Sequence, residues 1–312
     1  MLNGWLRLAA AGTPLRPTAA QVVSVFYEGA VIKRIEGSVV SFHPLFTADF
    51  NLICAGRDPG HIELAAIRNA GAVILPQGCP QPLYQMAREN CRHVFPNYDA
   101  RFRYPGKIGQ IRLFRETDTP HPETEIFRNT SDFRTRYPDD GYPAFPVVFK
   151  FDWGGEGDTV FLLQTPADLK DLLQHAESCE SSGQRGFLLQ QYILSGNRSL
   201  RVAVIGERSI SYWRRHAEED RFHASVSKGA KVDLTSDPVL KQKAEDLVAG
   251  FCRRTQINLA GLDVIFAAQD SRRPPLLLEI NYFFGRVGLG GSEAYYRILR
   301  KEIRRWLKRV GV

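Results

Sequence analysis

The chain has 312 residues, 44% of them apolar and 24% charged, with a net charge of +7. That balance argues against disorder and for a globular protein of two or three packed units. Cys54, Cys79, Cys91, Cys179 and Cys252 are odd in number, scattered and free of any C-x-x-C pair, which argues against a disulfide framework or zinc site and for a reducing cytoplasm. No apolar run reaches membrane length, and Trp5–Ala11 is too short for a signal core and contains Arg7.

Near the N-terminus Val22–Tyr27 and Ser38–Phe42 read as strands. Phe50–Ala55 is then an apolar strand running into the turn Gly56–Gly60, followed by a helix over Ile62–Ala70 and a second strand, Ala72–Leu75. Strand, turn, helix, strand is the unit of a parallel, helix-covered sheet. The turn is not G-x-G-x-x-G, so it marks no dinucleotide site. A polar crossing with proline and glycine, Asn97–Gly106, marks a boundary, after which Lys107–Phe114 starts a helix that stops before Pro120 and Pro122.

From Phe145 to Leu163 the chain reads strand, glycine-rich loop, strand. Gly154, Gly155 and Gly157 permit positive φ and let backbone N–H groups approach a phosphate, and Lys150 at the end of the first strand would reach the same anion. Plain turn chemistry is the alternative for such a loop. A helix follows, with Thr165 as its cap, Pro166 in its first turn, Leu169, Leu172, Leu173 and Ala176 as its stripe, and Gly183 beyond its end.

Phe187–Ile193, Leu200–Gly206 and Ser209–Arg215 are strands, and a helix over Val239–Arg253 carries Leu240, Ala244, Leu247, Val248 and Phe251 on one face. A turn centred on Arg208 would put Arg201 and Arg214 within one position of facing each other. Like charges there are tolerable around a shared anion, or if one pairs with a carboxylate such as Glu218 or Asp220.

Gly261–Phe266 and Pro275–Asn281 are two further strands joined through Asp270 and Ser271. Glu279 and Asn281 share a face, and pairing about Arg272 would set Asp263 opposite Asn281. Two carboxylates and a carboxamide would then meet at one end of an apolar hairpin, a set suited to a hard cation such as magnesium. The plainer alternative is polar residues on the wet face of an edge strand. In the last sixteen residues seven bases stand against Glu302 alone, so this tail carries +6 of the net +7. Tyr296, Leu299, Ile303, Trp306 and Val310 recur at helical spacing, predicting a helix docked on the core with a solvated basic face.

From Lys107 to Leu289 this order of parts resembles the ATP-grasp superfamily, and within it the RimK group of ATP-dependent glutamate ligases and glutathione synthetase. His121-Pro122-Glu123-Thr124 matches the family's x-x-P-x-T turn after a lysine-led helix. The resemblance implies that Lys107 and Lys150 contact ATP phosphates, that Gly154, Gly155 and Gly157 form a flexible lid, and that Gln190, Gln191, Tyr192 and Ile193 line the adenine pocket. It matches Arg201 to the arginine of the family's D-I-R and Arg214 or Arg215 to later phosphate-side arginines, making Lys150, Arg201 and Arg214 the catalytic set. Asp263, Glu279 and Asn281 would hold Mg²⁺, with Mn²⁺ as a substitute. The sequence departs from the pattern at Gln191 (an acid in the family), at Ser199 (the Asp of D-I-R), at Phe222-His223-Ala224-Ser225 (F-R-x-N) and at Tyr282-Phe283-Phe284 (a small residue and proline). The last change predicts a substrate different from those of close relatives.

The expected fold is α/β: an ATP-grasp fold with an N-terminal parallel-sheet (pre-ATP-grasp) domain over 1–105, a connecting helix and small lid subdomain over 106–195, and a C-terminal α+β domain over 196–312 bearing the metal site and basic helix. The expected activity is ligation of a carboxylate, through an acyl phosphate, to an amine, on small-molecule or peptide substrates in the cytoplasm, with no membrane or nucleic-acid partner and with homo-oligomers left open. The rival readings are an ATP-grasp kinase acting on a hydroxyl and a non-catalytic nucleotide-binding protein.

Overall fold

A computed structural model describes residues 37–138, 141–155, 157–215, 229–268 and 273–312. The expected strand Val22–Tyr27, Glu218 and Asp220, the segment Phe222–Ser225 and the linking residues Asp270, Ser271 and Arg272 lie outside the described residues.

The first layer runs β1 (Val39–Ser41), β2 (Phe50–Asn51), α1 (His61–Asn69), β3 (Ala72–Ile74), α2 (Gln81–Asn90), β4 (Val94–Phe95) and α3 (Asp99–Arg103). Its four strands are parallel in the order β2-β1-β3-β4. Both faces are covered, which is why β3 and β4 are apolar throughout. Val40 and Val73 pack against Ile67, Leu83 and Ala87 of the helices, while Val39, Ala72 and Ile74 turn the other way, toward Leu299, Ile303 and Trp306. The strand expected over Phe50–Ala55 is only two residues long. Its partner β1 ends at Ser41, so after the Leu52 N–H reaches the Ser41 carbonyl at 2.9 Å the chain has nothing left to pair with.

The second layer follows α4 (Gly106–Glu116) and comprises β5 (Thr124–Phe127), α5 (Thr130–Arg136), β6 (Val147–Phe151), β7 (Val160–Leu163), α6 (Pro166–Ser181) and β8 (Phe187–Gln191). The sheet is antiparallel, ordered β5-β8-β6-β7. Phe127, Phe149 and Phe187 stack across it, and α6 closes over them with Leu169 and Ala176. Thr165 caps α6 as the sequence predicts: Thr165 Oγ1 accepts the Asp168 N–H at 3.3 Å, and Asp168 Oδ2 accepts the Thr165 N–H at 2.9 Å.

The third layer holds β9 (Arg198–Ile205), β10 (Arg208–Arg215), β11 (Lys231–Asp233), α7 (Pro238–Thr255), β12 (Leu259–Ile265), β13 (Leu276–Asn281) and α8 (Gly291–Val310). Its sheet is antiparallel, ordered β11-β10-β9-β12-β13. Alternation along β9 divides the work of the two faces. Leu200, Val202 and Val204 pack on Ala244, Val248 and Phe251 of α7, whereas Ala203 and Ile205 pack on α8 and Arg201 is left at the site end of that second face. The buried stripe of α8 is Tyr295, Leu299, Ile303 and Trp306 with Glu302, so it starts one residue before the expected Tyr296. Its bases Arg300, Lys301, Arg304 and Lys308 are exposed. β13 is an edge strand, and Gln110 of α4 closes its edge: the side chain accepts the Ile280 N–H at 2.8 Å and donates to the Ile280 carbonyl at 3.0 Å. Among the described residues no helix is long and apolar enough to cross a membrane.

Candidate active site

Four cross-strand partners form a polar row over the third sheet. Tyr212 pairs with Arg201, Arg201 with Asp263, and Asp263 with Glu279, so all four side chains share one face. The expectation that Asp263 would oppose Asn281 is corrected here. The β12–β13 register shifts between Asp263 and Val264, and Asn281 pairs with Gly261. Asn281 still reaches the acid, its Nδ2 donating to Asp263 Oδ2 at 3.1 Å. The expected facing of Arg201 and Arg214 is corrected too. Arg214 pairs with Ser199, two residues from Arg201 along β9, and donates to Ser199 Oγ at 2.7 Å.

The anion shared by the two arginines is Asp263. Arg201 donates through Nε to Oδ1 and through Nη2 to Oδ2, the latter at 3.1 Å, and Arg214 Nη2 reaches Oδ1 at 2.8 Å. Burial alone would raise the Asp263 pKa, but Arg201 and Arg214 hold it below the usual carboxylate range. Gly261 makes room for this arrangement: a Cβ there would stand 2.8 Å from Arg201 Nη1 and 2.9 Å from its Cδ. Gly288 serves Tyr212 similarly, the phenol ring lying where a Cβ would go.

Glu279 is different. Among the described residues no group donates to its carboxylate, and burial together with the neighbouring Asp263 pushes its pKa up, against the pull of Lys150 and Lys107. Across the cleft, Lys150 of β6 is buried and its pKa falls to about 8, chiefly from burial. Burial also lowers Lys107, opposed by Glu279 and Asp152. Lys107 Nζ donates to the carbonyls of Trp153 and Gly154 at 3.0 and 3.2 Å and to Thr159 Oγ1 at 3.4 Å, so this lysine holds the glycine loop. Its place is set by Asp152, whose Oδ1 accepts the Ile108 N–H at 2.7 Å at the start of α4.

These residues surround one cavity of about 540 Å³, in the range of small-molecule and cofactor sites. Lys107, Lys150, Gly155, Gly157, Gln190, Gln191, Tyr192, Ile193, Arg201, Arg214, Asp263, Glu279 and Asn281 all line it. Gly154 does not; its φ of +81° and the Thr159 Oγ1 only 2.8 Å from a would-be Cβ make it a residue of the loop's own turn. Sequence reasoning missed Asp152, Tyr212 and the apolar wall of Val148, Val160, Ile265 and Leu278. The wall residues sit on predicted strands, but nothing local says which of them face a cleft between two sheets.

The fold belongs to the ATP-grasp class, as its likeness to solved structures shows. The chain superposes on a RimK domain ATP-grasp protein from Sphaerobacter thermophilus with a TM-score of 0.54 at 15% identity, over 85% of this chain and 99% of the other. On a D-alanine–D-alanine ligase from Bacillus anthracis the score is 0.56 at 14% identity, over 84% and 86%. Within that class, the model of the RimK-like ATP-grasp domain matches residues 106–307, and the chain belongs to that family. A protein of Alkalilimnicola ehrlichii described as a "Probable alpha-L-glutamate ligase" is 28% identical over 145 residues, 46% of this chain and 44% of that protein. The match thus spans less than half the length of that relative.

Membership in the ATP-grasp class implies ATP and a divalent cation, and the residues present fit both. Glu279 is a partly buried carboxylate beside a second acid, and among the described residues no hydrogen-bond donor reaches it. Arg214 Nε is buried and has no partner among the described residues, and Lys150 is a buried cation on the opposite wall. Among the described residues no three His, Cys, Asp or Glu side chains group to hold a metal unaided. Such a sparse donor set suits a cation that takes its remaining ligands from phosphate oxygens and water.

Proposed function

We propose that this protein is an ADP-forming ligase that joins a carboxylate to an amine at the cavity between the second and third sheets, using Mg²⁺-ATP. One observation carries the reading: Lys107, Lys150, Arg201 and Arg214 meet Asp263 and Glu279 around a single cavity. Glu279 and Asn281 would hold the cation, Mg²⁺ or Mn²⁺, with Asp263 joining them if its arginines turn to the phosphates. The apolar wall and Gln190–Ile193 would take the adenine. When bound, ATP supplies the phosphoryl group that turns a carboxylate into an acyl phosphate open to attack by an amine.

The protein's share is electrostatic. Lys150 approaches from the second sheet, Lys107 from the start of α4, and Arg201 and Arg214 from the third sheet, so four cations flank the place where negative oxygens gather. Burial removes competing water and strengthens each of these interactions. The loop of Gly154, Gly155 and Gly157, tethered by Lys107, is placed to cover the phosphates as a lid. On this reading 1–105 is a pre-ATP-grasp domain, 106–195 the connecting helix and lid, and 196–312 the metal-bearing domain. The substrates are small-molecule or peptide acids and amines, and the free cysteines suit a cytoplasmic setting.

The test is interception of the activated acid. The protein is incubated with Mg²⁺-ATP, hydroxylamine and a panel of acids that begins with L-glutamate, which the names of its relatives make the first choice. A hydroxamate forming with stoichiometric ADP and phosphate is expected. A stable phosphorylated product without hydroxamate would mean a hydroxyl acceptor and a kinase.

A further inference from the structure

The loop after β13 carries a cation that the proposed chemistry leaves unused. Arg286 lies between Gly285 and Val287, both of which line the cavity. Its guanidinium stacks over the rings of Tyr295 and Tyr296, 4.9 and 4.5 Å from their centroids, and Nη1 donates to Ser292 Oγ at 3.4 Å. Among the described residues no carboxylate pairs with it. Two aromatic faces fix the side chain in place without cancelling its charge.

The ground beside Arg286 is the carboxyl edge of the parallel sheet. His43 follows the end of β1, with its ring edge-on to Tyr296 at 6.0 Å. Its Nδ1 accepts the Leu45 N–H at 3.1 Å, which leaves the proton of the neutral ring on Nε2 as a donor. The ring is neutral near pH 7, since burial first and Arg286 second hold its pKa at about 4. Gln77, past the end of β3, accepts from the Tyr295 hydroxyl at 3.0 Å and donates to the Tyr282 carbonyl at 3.2 Å, tying the loop to the sheet. In the order β2-β1-β3-β4 the direction of winding reverses between β1 and β3. Open parallel sheets bind ligands outside the strand ends at such a point. Gly285, next to Arg286, lines the cavity, and a Cβ there would meet nothing within 4 Å. Phe283 and Val287 flank it, 74% and 65% exposed.

We propose that Arg286, with His43 beside it, binds an anionic group, carboxylate or phosphate, carried by the substrate that reaches the cavity over Gly285. The anion supplies the counter-charge that Arg286 lacks, and the apolar part of the same molecule lies on Phe283 and Val287. The assignment to a substrate rests on the ligase reading; the binding of an anion at Arg286 does not.

The test is a thermal-shift titration of the whole chain with L-glutamate and, separately, inorganic phosphate, each with and without Mg²⁺-ADP. Arg286→Gln and Arg286→Lys are compared with wild type and with Arg300→Gln, a control on the exposed face of α8. A saturable rise in Tm is expected for wild type and Arg300→Gln, weakened about tenfold or more in Arg286→Gln and partly kept in Arg286→Lys. A response to glutamate alone identifies a carboxylate site, and a response to phosphate alone a phosphate site. The proposal is overturned if wild type answers neither anion saturably, or if Arg286→Gln answers as wild type does, even with a lower unliganded Tm. A wild type that fails to respond to Mg²⁺-ADP would instead count against the nucleotide reading, and the anion titrations would still stand.

Discussion

Glu279 faces Asp263 across the β12–β13 ladder because one residue of β13 is bulged out between them. On the turn side of the bulge Ile265 pairs with Leu276 and Val264 with Leu277; on the other side Asp263 pairs with Glu279. An unbroken register would have brought Leu278 opposite Asp263 and turned Glu279 to the face covered by α7. One extra residue therefore re-aims a carboxylate into the cavity, a known use of bulges beside sites. It also sets two acids next to each other, an arrangement that a cation would relieve.

Glu279→Gln tests that relief. Nucleotide affinity measured by calorimetry with and without Mg²⁺ should lose its cation-dependent part by at least about tenfold, the lower end of what even an outer-shell partner costs. The ligand-free protein should be no less stable, because the Glu279 pKa is raised in the fold. A carboxyl with a raised pKa favours folding in its protonated form, so its ionisation withdraws stability as pH rises through that pKa. The amide keeps the shape and lacks the charge. An unchanged Mg²⁺ effect would remove Glu279 from the metal site.

The same bulge marks the limit of what the sequence discloses. Strand alternation is local, so Asp263, Glu279 and Asn281 were legible as one cluster, and the cap Thr165 and first-turn Pro166 were legible from residue type alone. Register was not legible. A bulge changes pairing without disturbing the apolar pattern, and the same uncertainty misplaced Arg214, which sits opposite Ser199 and not Arg201. Asp152 was missed, because its role at the N-terminus of α4 depends on a contact 44 residues away in the chain.

Asp263 should matter to the fold as well as to the site. Asp263→Ala leaves Arg201, buried, and Arg214, nearly so, without their carboxylate. Removing one partner of a buried charge cluster costs about 3–5 kcal/mol. Urea unfolding should therefore show a marked fall in midpoint. Because its arginines lower the Asp263 pKa, this stability is present above the ordinary Asp value of about 3.9 and fades as pH falls below it. Wild type and Asp263→Asn should converge in Tm over that acid range; a constant gap between them would show that the charge is not the source.

Gly261→Ala should disturb the arginine and not the backbone. Gly261 is not among the residues with positive φ, but the added Cβ meets Arg201 and, at 2.9 Å, Phe284 Cβ. Overpacking of this kind costs roughly 1–3 kcal/mol. The displaced guanidinium should lower the rate of hydroxamate formation more than it raises the KM for ATP. A variant with wild-type rate and stability would mean that Arg201 has room to move aside.

The glycine loop should behave as a lid. Its tether is Lys107, which donates to the carbonyls of Trp153 and Gly154. Limited proteolysis near Trp153 should slow when Mg²⁺-ATP is added, and should quicken in Lys107→Ala without nucleotide. Equal cutting in every state would favour a plain turn.

Lys150 gives the site a pH signature of its own. Burial lowers its pKa to about 8, from an ordinary lysine value of about 10.4. Between those two values the unfolded chain binds a proton that the folded chain does not, so ligand-free stability should rise with pH across this window. Nucleotide affinity should move the other way. Phosphate oxygens favour the charged amine and raise its pKa in the complex, so binding is steady below pH 8 and weakens above it, by up to about tenfold per pH unit. Lys150→Met should abolish both slopes and weaken binding at every pH. Lys150→Arg, charged throughout the range, should keep binding and lose the pH dependence. Calorimetric titrations with Mg²⁺-ADP from pH 7 to about pH 10 would measure this, and a flat wild-type profile would mean that the Lys150 ammonium does not face the phosphates.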